Sequence, residues 1–412
     1  MKCVITDHVV LSRSLDGPIA AHIHAFAASR VALGYATYSI RREIRLAAGF
    51  SRWLKQRGIV LRRVDTTQVS QYLRDRRRQK RPGAGDAAAL RHLLEFLRRE
   101  GVTRPEPTPS RRWTPAERAA HAYVQYLREV RALAGATITN YAPFIQQFLR
   151  DRFGHGPVRL RGLTARDVVR FVQRHAPRLH LRRAKLLTNA LRSFLRYARY
   201  HGGVTRDLAA AVPAVANWSM PSIPRAITDD QVRQLLASID RRTAMGRRDY
   251  AIVLLLARLG LRANEVARLE LEDLQWEAGQ LSVQGKWGHR TVLPLPADVG
   301  AAIAAYVRHG RPPCPSRRVF LRSRAPIHGF LGQCAIGSII RHRLHRAGIA
   351  APTTGAHQFR HALATRMLRH GASLTEIGEI LRHRSPQTTM VYAKVDLPAL
   401  RTLALPWPGG AR

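Results

Sequence analysis

The chain has 412 residues, enough for two or three domains, and 45% of them are hydrophobic, an ordinary figure for globular cores. Its 69 Lys and Arg face 27 Asp and Glu, a formal net charge of +42 that points to a polyanionic partner, nucleic acid being the commonest. No apolar run approaches the roughly 18 residues of a membrane helix, the first residues lack a signal-peptide design, and Cys3, Cys314 and Cys334 fit neither a disulfide framework nor a CxxC metal site, so the expected class is a cytoplasmic DNA- or RNA-binding protein.

Only six residues are lysine. A bias in base composition would favour Arg over Lys, but it does not explain the shortage of acids. The excess therefore reads as phosphate binding.

From Pro18 to Val102 the apolar residues recur at helical spacing. Pro105, Pro107 and Pro109 then alternate, which favours extended backbone and marks a boundary. A first helical domain is expected over 1–104. The next begins with Thr114 as N-cap, Pro115 at the first helical position and Glu117 completing a capping box. Its pieces repeat those of the first block in order. LTARDVVRFV matches VDTTQVSQYL at an offset of 99, and NALRSFLRYARYHGGV matches AALRHLLEFLRREGV at about 101. A duplicated domain of four or five helices is expected, rather than two unrelated bundles.

Arginines mark the helix ends and outer faces of both blocks: Arg74, Arg76, Arg77, Arg78, Arg98 and Arg99 in the first, and Arg182, Arg183, Arg192, Arg196 and Arg199 in the second. Too little acid lies nearby to neutralise them, so DNA-backbone contact is expected. The second block is expected over 113–215. It ends at a linker carrying Pro213, Pro221 and Pro224.

Thr228 and Gln231 form another capping box and open the last domain, expected over 225–405. DDQVRQLLASID reads as one helix, and RDYAIVLLLARLG as the central core helix, stopped by Gly260. A short amphipathic helix follows with Arg262 at its start. LSVQGKWGHRTVLPLP alternates on both sides of a Gly-Lys-Trp-Gly turn, which predicts a β-hairpin with Lys286 at or beside the turn. Two further helices flank RRVFLRSR, a short strand or a loop. The stretch from His357 to Tyr392 follows. His357, Arg360 and His361 share one helical face, Gly371 stops that helix, and a second helical run through Ile377, Ile380 and Leu381 leads to His383 and Tyr392. Two imidazoles and a guanidinium near a phenol suggest chemistry on an anion.

Taken together, GLRANE, QGKWGHR, HQFRHALATRML, LRHRS and the late tyrosine resemble the signature of the tyrosine recombinase (phage integrase) family. From Arg262 to Lys286 is 24 residues, from His357 to Arg360 three, and from His383 to Tyr392 nine, all matching the family pattern. The resemblance covers about residues 225 to 400, and the block from Thr114 to about Val215 resembles the family's SAM-like helical core-binding domain. It implies a mainly α fold, with helical N-terminal DNA-binding domains and an α+β catalytic domain holding a small β-hairpin or sheet. The family usually has a glycine where Arg382 precedes His383, and a second Lys or Arg near the position of His289. The first helical block resembles the extra domains of larger, transposon-encoded relatives.

The resemblance implies catalytic roles for Arg262, Lys286, His357, Arg360, His383 and Tyr392. Two guanidiniums, Arg262 and Arg360, suit the non-bridging oxygens of a phosphodiester. Tyr392 supplies the nucleophile, His357 is the candidate general base, His383 bonds a phosphate oxygen and Lys286 protonates the departing 5′-oxygen. Glu265 orients the site, and His361 is expected to support the helix or the site. His357, His361 and His383 could ligate zinc, but no carboxylate or thiol completes the shell and Arg360 would sit beside the cation; no cofactor or metal is expected. The implied partners are double-stranded DNA and sibling subunits in a tetramer, with a Holliday-junction intermediate. Leu397, Leu400 and Leu403 form an apolar stripe expected to dock on a neighbouring subunit or in cis. Two rival readings share these residues: a topoisomerase IB-like enzyme that only relaxes DNA, and a catalytically silent DNA-binding protein.

Overall fold

Amphipathic spacing decides the first helices. In the computed structural model of the chain, which describes residues 3–6, 9–11, 15–79, 83, 85–105, 113–215, 225–285, 290–383 and 385–395, a small β-hairpin, β1 (Cys3–Thr6) and β2 (Val9–Leu11), precedes α1 (Ile23–Ala32), α2 (Thr37–Gln56), α3 (Thr66–Gln79) and α4 (Asp86–Arg99). Ile40, Ile44, Ala47, Phe50 and Leu54 line the buried stripe of α2, and Leu90, Leu93, Leu94 and Leu97 that of α4. Each Ile, Leu or Phe among them contributes about 1.5–3 kcal/mol by leaving water. This block and the C-terminal region form one compact unit, Met1–Glu106 with Ser222–Arg412, whereas Pro107–Pro221 forms another.

The second unit has the same element order: α5 (Pro115–Glu129), α6 (Gly135–Phe153), α7 (Ala165–His175) and α8 (Leu181–Tyr200). A single 3-10 turn precedes the third helix of each set, at Leu61–Arg63 and at Leu160–Gly162, and these turns lie at the same 99-residue offset as the sequence repeat. Thr114 caps α5 through the Glu117 N–H at 3.2 Å while Glu117 accepts from the Thr114 N–H at 3.0 Å, so the capping box forms as expected.

The C-terminal region is α+β. After α9 (Asp229–Ala237), α10 (Ala244–Leu259) runs through the middle of the core, with every residue from Ala251 to Leu256 almost fully buried. Buriedness on all sides is what an apolar helix without a polar face requires. The short α11 (Ala263–Arg268) leads to an antiparallel sheet in the order β3 (Leu274–Gln275), β4 (Gln280–Gln284), β5 (Arg290–Pro294). The expected hairpin pairs Leu281 with Leu293 and Val283 with Thr291; its turn, including Lys286, lies outside the described residues. RRVFLRSR forms no extended strand. Isolated bridges hold it, Glu270 to Arg318 and Leu321 to Gly329, around buried Val319, Phe320 and Leu321. Helices α12 (Ala297–His309) and α13 (Gln333–Arg346) complete the core. The chain then forms α14 (His357–Arg369), α15 (Leu374–Ile380), α16 (Pro386–Thr389) and a 3-10 segment, Met390–Val395. Gly371, at φ 88°, lets the chain leave α14, and Ser373 and Glu376 cap α15.

Candidate active site

The end of α10 organises the site. Gly260 has φ 57°, a left-handed conformation that suits glycine, and a Cβ there would lie 2.9 Å from Leu363 and 3.0 Å from Leu381. Its carbonyl, freed by the helix end, accepts a hydrogen bond from Arg360 Nη1 at 2.7 Å. Arg360 Nη2 donates to the Leu381 carbonyl. Two main-chain acceptors from separate elements thus fix a guanidinium that is 1% exposed. Burial, with the neighbouring charges of Arg262 and Arg382, lowers the Arg360 pKa to about 9. It therefore stays charged at neutral pH.

Two residues beyond Gly260, Arg262 stands at the start of α11. Its backbone N–H donates to Glu265 Oε2 at 2.8 Å, its Nη1 to Oε1 at 2.9 Å and its Nη2 to the Arg382 carbonyl at 3.3 Å. Its side chain remains about one-third exposed, while Glu265 is buried. Arg382 reaches the same carboxylate from the other side, with Nη2 2.9 Å from Oε2. One buried carboxylate therefore holds two guanidiniums, Arg262 and, unforeseen in the sequence, Arg382.

Tyr392 lies 2% exposed on the 3-10 segment, packed with Leu363, Ala364, Ile377 and Leu381. Its hydroxyl is 3.0 Å from His361 Nδ1. His357 packs edge-on against His361, with ring centroids 4.4 Å apart, so His361 is the imidazole that meets the phenol and His357 meets His361. The His383 ring lies parallel to the Tyr392 ring at 6.4 Å, with its Nδ1 2.7 Å from the Thr389 hydroxyl. Burial, opposed in part by the Arg360 charge, pushes the phenol up to about 12. Burial and nearby cationic groups push both His361 and His383 down to about 4. At neutral pH the phenol is therefore protonated and both imidazoles are neutral, which is the state a proton acceptor beside a phenol needs.

Six side chains from distant stretches of sequence meet here: Arg262, Glu265, Arg360, His361, His383 and Tyr392. Sequence reasoning missed Thr389, the Gly260 and Leu381 carbonyls, and the use made of Arg382. Only Arg382 left a signal, as a residue standing where a glycine was expected. The expected apolar stripe of Leu397, Leu400 and Leu403 lies outside the described residues. Among the described residues, no cluster of three His, Cys, Asp or Glu is arranged to hold a metal ion.

The arginines of α8 divide by role. Arg182 and Arg196 are exposed. Arg183 is exposed too, with its guanidinium 5.2 Å from the centre of the Phe144 ring. Arg199 lies 3.4 Å from Asp207. Arg192 Nη2 donates to the Val212 and Pro213 carbonyls at 2.9 and 3.2 Å, anchoring the chain where it leaves the bundle.

The profile of the phage integrase family matches residues 225–397. The y4rA integrase/recombinase of Sinorhizobium fredii is 55% identical over 412 residues, covering 100% of both chains. Tyrosine recombinase XerA of Pyrococcus furiosus is 30% identical over 68% of this chain and 90% of its own. In fold, the chain is similar to the crystal structure of the XerH site-specific recombinase bound to a palindromic difH substrate, with a TM-score of 0.56 at 19% identity over 70% of this chain and 84% of that one.

Proposed function

The chain belongs to the phage integrase family of tyrosine site-specific recombinases, and we propose how its residues carry out that reaction. The Tyr392 oxygen attacks the phosphorus of a DNA phosphodiester. A bond forms between the tyrosine and the 3′-phosphate, and the bond to the 5′-oxygen breaks, giving a 3′-phosphotyrosine and a free 5′-hydroxyl. A second 5′-hydroxyl reverses the step on a new partner strand. No nucleotide is consumed, because the phosphotyrosine keeps the ester bond energy.

The Tyr392 proton passes to His361, the imidazole already 3.0 Å from it. His357 stands next to His361 as the further acceptor on the same helix face. Arg262 and Arg360 donate to the non-bridging oxygens, each contributing on the order of 3 kcal/mol as charge builds on the phosphorus. His383 bonds a phosphate oxygen, and Lys286, from the hairpin turn, protonates the leaving 5′-oxygen. The observation that carries this reading is the Tyr392 hydroxyl held against His361, one residue from the buried Arg360.

The test is a nicked suicide duplex carrying the terminal sequence of the protein's own element. The purified chain becomes covalently attached and Tyr392→Phe does not. An adduct with Tyr392→Phe would show that the nucleophile is another residue.

We further propose that the two helical blocks grip the backbone of duplex DNA in the cytoplasm, with Arg182, Arg183 and Arg196 as exposed contacts. Four subunits assemble on two DNA sites through a Holliday junction, in the service of a transposable element. Sedimentation on two-site DNA should give a four-subunit complex; single-subunit binding at all concentrations would overturn the assembly.

A further inference from the structure

Arg382 stands where the family usually has a glycine, and the position explains that preference: its φ is 57°, in the left-handed region that an arginine occupies only under strain. The side chain is not spent on solvent. It is 10% exposed, its Nη2 bonds Glu265 Oε2 at 2.9 Å, and its Nε and Nη1 are buried with no hydrogen-bond partner among the described residues. A residue selected for packing alone has no reason to combine a strained backbone with two unmet buried donors. The local charge balance supplies a reason.

Glu265 bonds Arg262 through both carboxylate oxygens. With Arg262 alone, that carboxylate would cancel the one guanidinium that remains partly open to a ligand. Arg382 adds a second positive charge to the same carboxylate, so the trio carries a net charge of +1. Beside it Arg360 adds another. A phosphodiester is a monoanion that gains negative charge under attack, so this restored charge acts most strongly at the transition state. The Arg382 carbonyl, which accepts from Arg262 Nη2 at 3.3 Å, also fixes the direction of that guanidinium.

We propose that Arg382 is a positioning residue for phosphodiester cleavage: by sharing the Glu265 carboxylate it leaves Arg262 with positive charge to present to the phosphate. The inference rests on the reading of the site given above. It is tested by single-turnover adduct formation on the suicide duplex at saturating protein, with duplex affinity and thermal unfolding measured on the same samples. Arg382→Gly suits the backbone and should slow cleavage on the order of 10- to 100-fold, the scale of loss seen when the hydrogen-bond partner of a metal ligand is removed, with duplex affinity unchanged. Adding Glu265→Gln to Arg382→Gly should recover most of the loss, because the amide oxygen still accepts from the Arg262 guanidinium but no longer cancels its charge, although the bond to the Arg262 backbone N–H is given up. Arg382→Lys should hold a rate that Arg382→Gln loses, a pair that serves if the glycine variant unfolds. Cleavage by Arg382→Gly at the wild-type rate, no recovery in the double variant, or equal rates for the lysine and glutamine variants would each overturn the proposal. Failure of the wild type to form any adduct would count instead against the Tyr392 reading.

Discussion

The bundle of Pro107–Pro221 and the site around Tyr392 bury different things. Among the described residues of the bundle, those that are buried are apolar apart from Thr188. Its described arginines lie at the surface or, like Arg192, partly covered. Around the site, Glu265, Gln358, Arg360, Thr365 and Thr389 are all buried, and Tyr392 shares only a small apolar cluster with Leu363, Ala364, Ile377 and Leu381. A bundle that grips a polyanion through many exposed charges spreads its binding energy thinly. A site that must stabilise one charge-rich transition state concentrates buried polar groups, at a loss in local stability. Single substitutions should therefore act gradually on the first and steeply on the second.

The steepest change is Tyr392→Phe. It should remove adduct formation completely while leaving duplex affinity intact, as read by denaturing gel and fluorescence anisotropy. Next is Arg360→Ala, expected to slow single-turnover cleavage by roughly 10²–10³-fold; a loss under tenfold would place Arg360 with the spread-out contacts rather than with the site. The third test concerns pH. His361, pushed down to about 4, stays neutral as pH falls through 6.5, so cleavage should hold its rate there and decline only towards pH 4. A limb near 6.5 would mean that another imidazole takes the proton. The sign for stability agrees: the unfolded imidazole gains a proton below 6.5 while the folded one stays neutral to about 4, so stability is fully present above 6.5 and is lost as pH falls between the two values.

In the bundle the effects on cleavage should be smaller, and what changes should be stability or duplex affinity. Leu191→Ala, at a position 1% exposed, should destabilise by about 2–5 kcal/mol in a urea melt. At temperatures where the bundle remains folded it should leave single-turnover cleavage unchanged at saturating protein. Smallest is Arg196→Ala, an exposed residue. It should weaken duplex binding evenly across sequences and lower the salt slope by about one. Sequence-selective loss would break the comparison, because it would make that arginine a base reader.

What could be read in the sequence was local. The capping boxes at Thr114, Thr228 and Ser373 form because their partners are three residues away. The first two were legible as sequence patterns for the same reason. The hairpin of β4 and β5 was legible through its period of two, and the set Arg262, Arg360, His383 and Tyr392 through its resemblance to a family signature. What stayed hidden depends on where distant segments meet. The spacing of His357 and His361 fixes their shared helix face, but only the placement of the Met390–Val395 segment decides which ring meets the phenol. Arg192 looked like its exposed neighbours, and its bond to the Val212 carbonyl follows from the chain folding back along α8. RRVFLRSR read equally as strand or loop because its apolar core is only three residues long, too short for period to decide.

The grip on Arg360 bears on mutational tolerance. Its acceptors at Gly260 and Leu381 are main-chain oxygens, which every amino acid carries. In a deep mutational scan, position 360 should admit almost nothing. Position 381 should tolerate any residue that fills the same apolar space, and position 260 should be restricted by its backbone angle and crowding rather than by chemistry. The guanidinium is thus held by partners that substitution cannot delete, and the information that specifies it is concentrated in one codon.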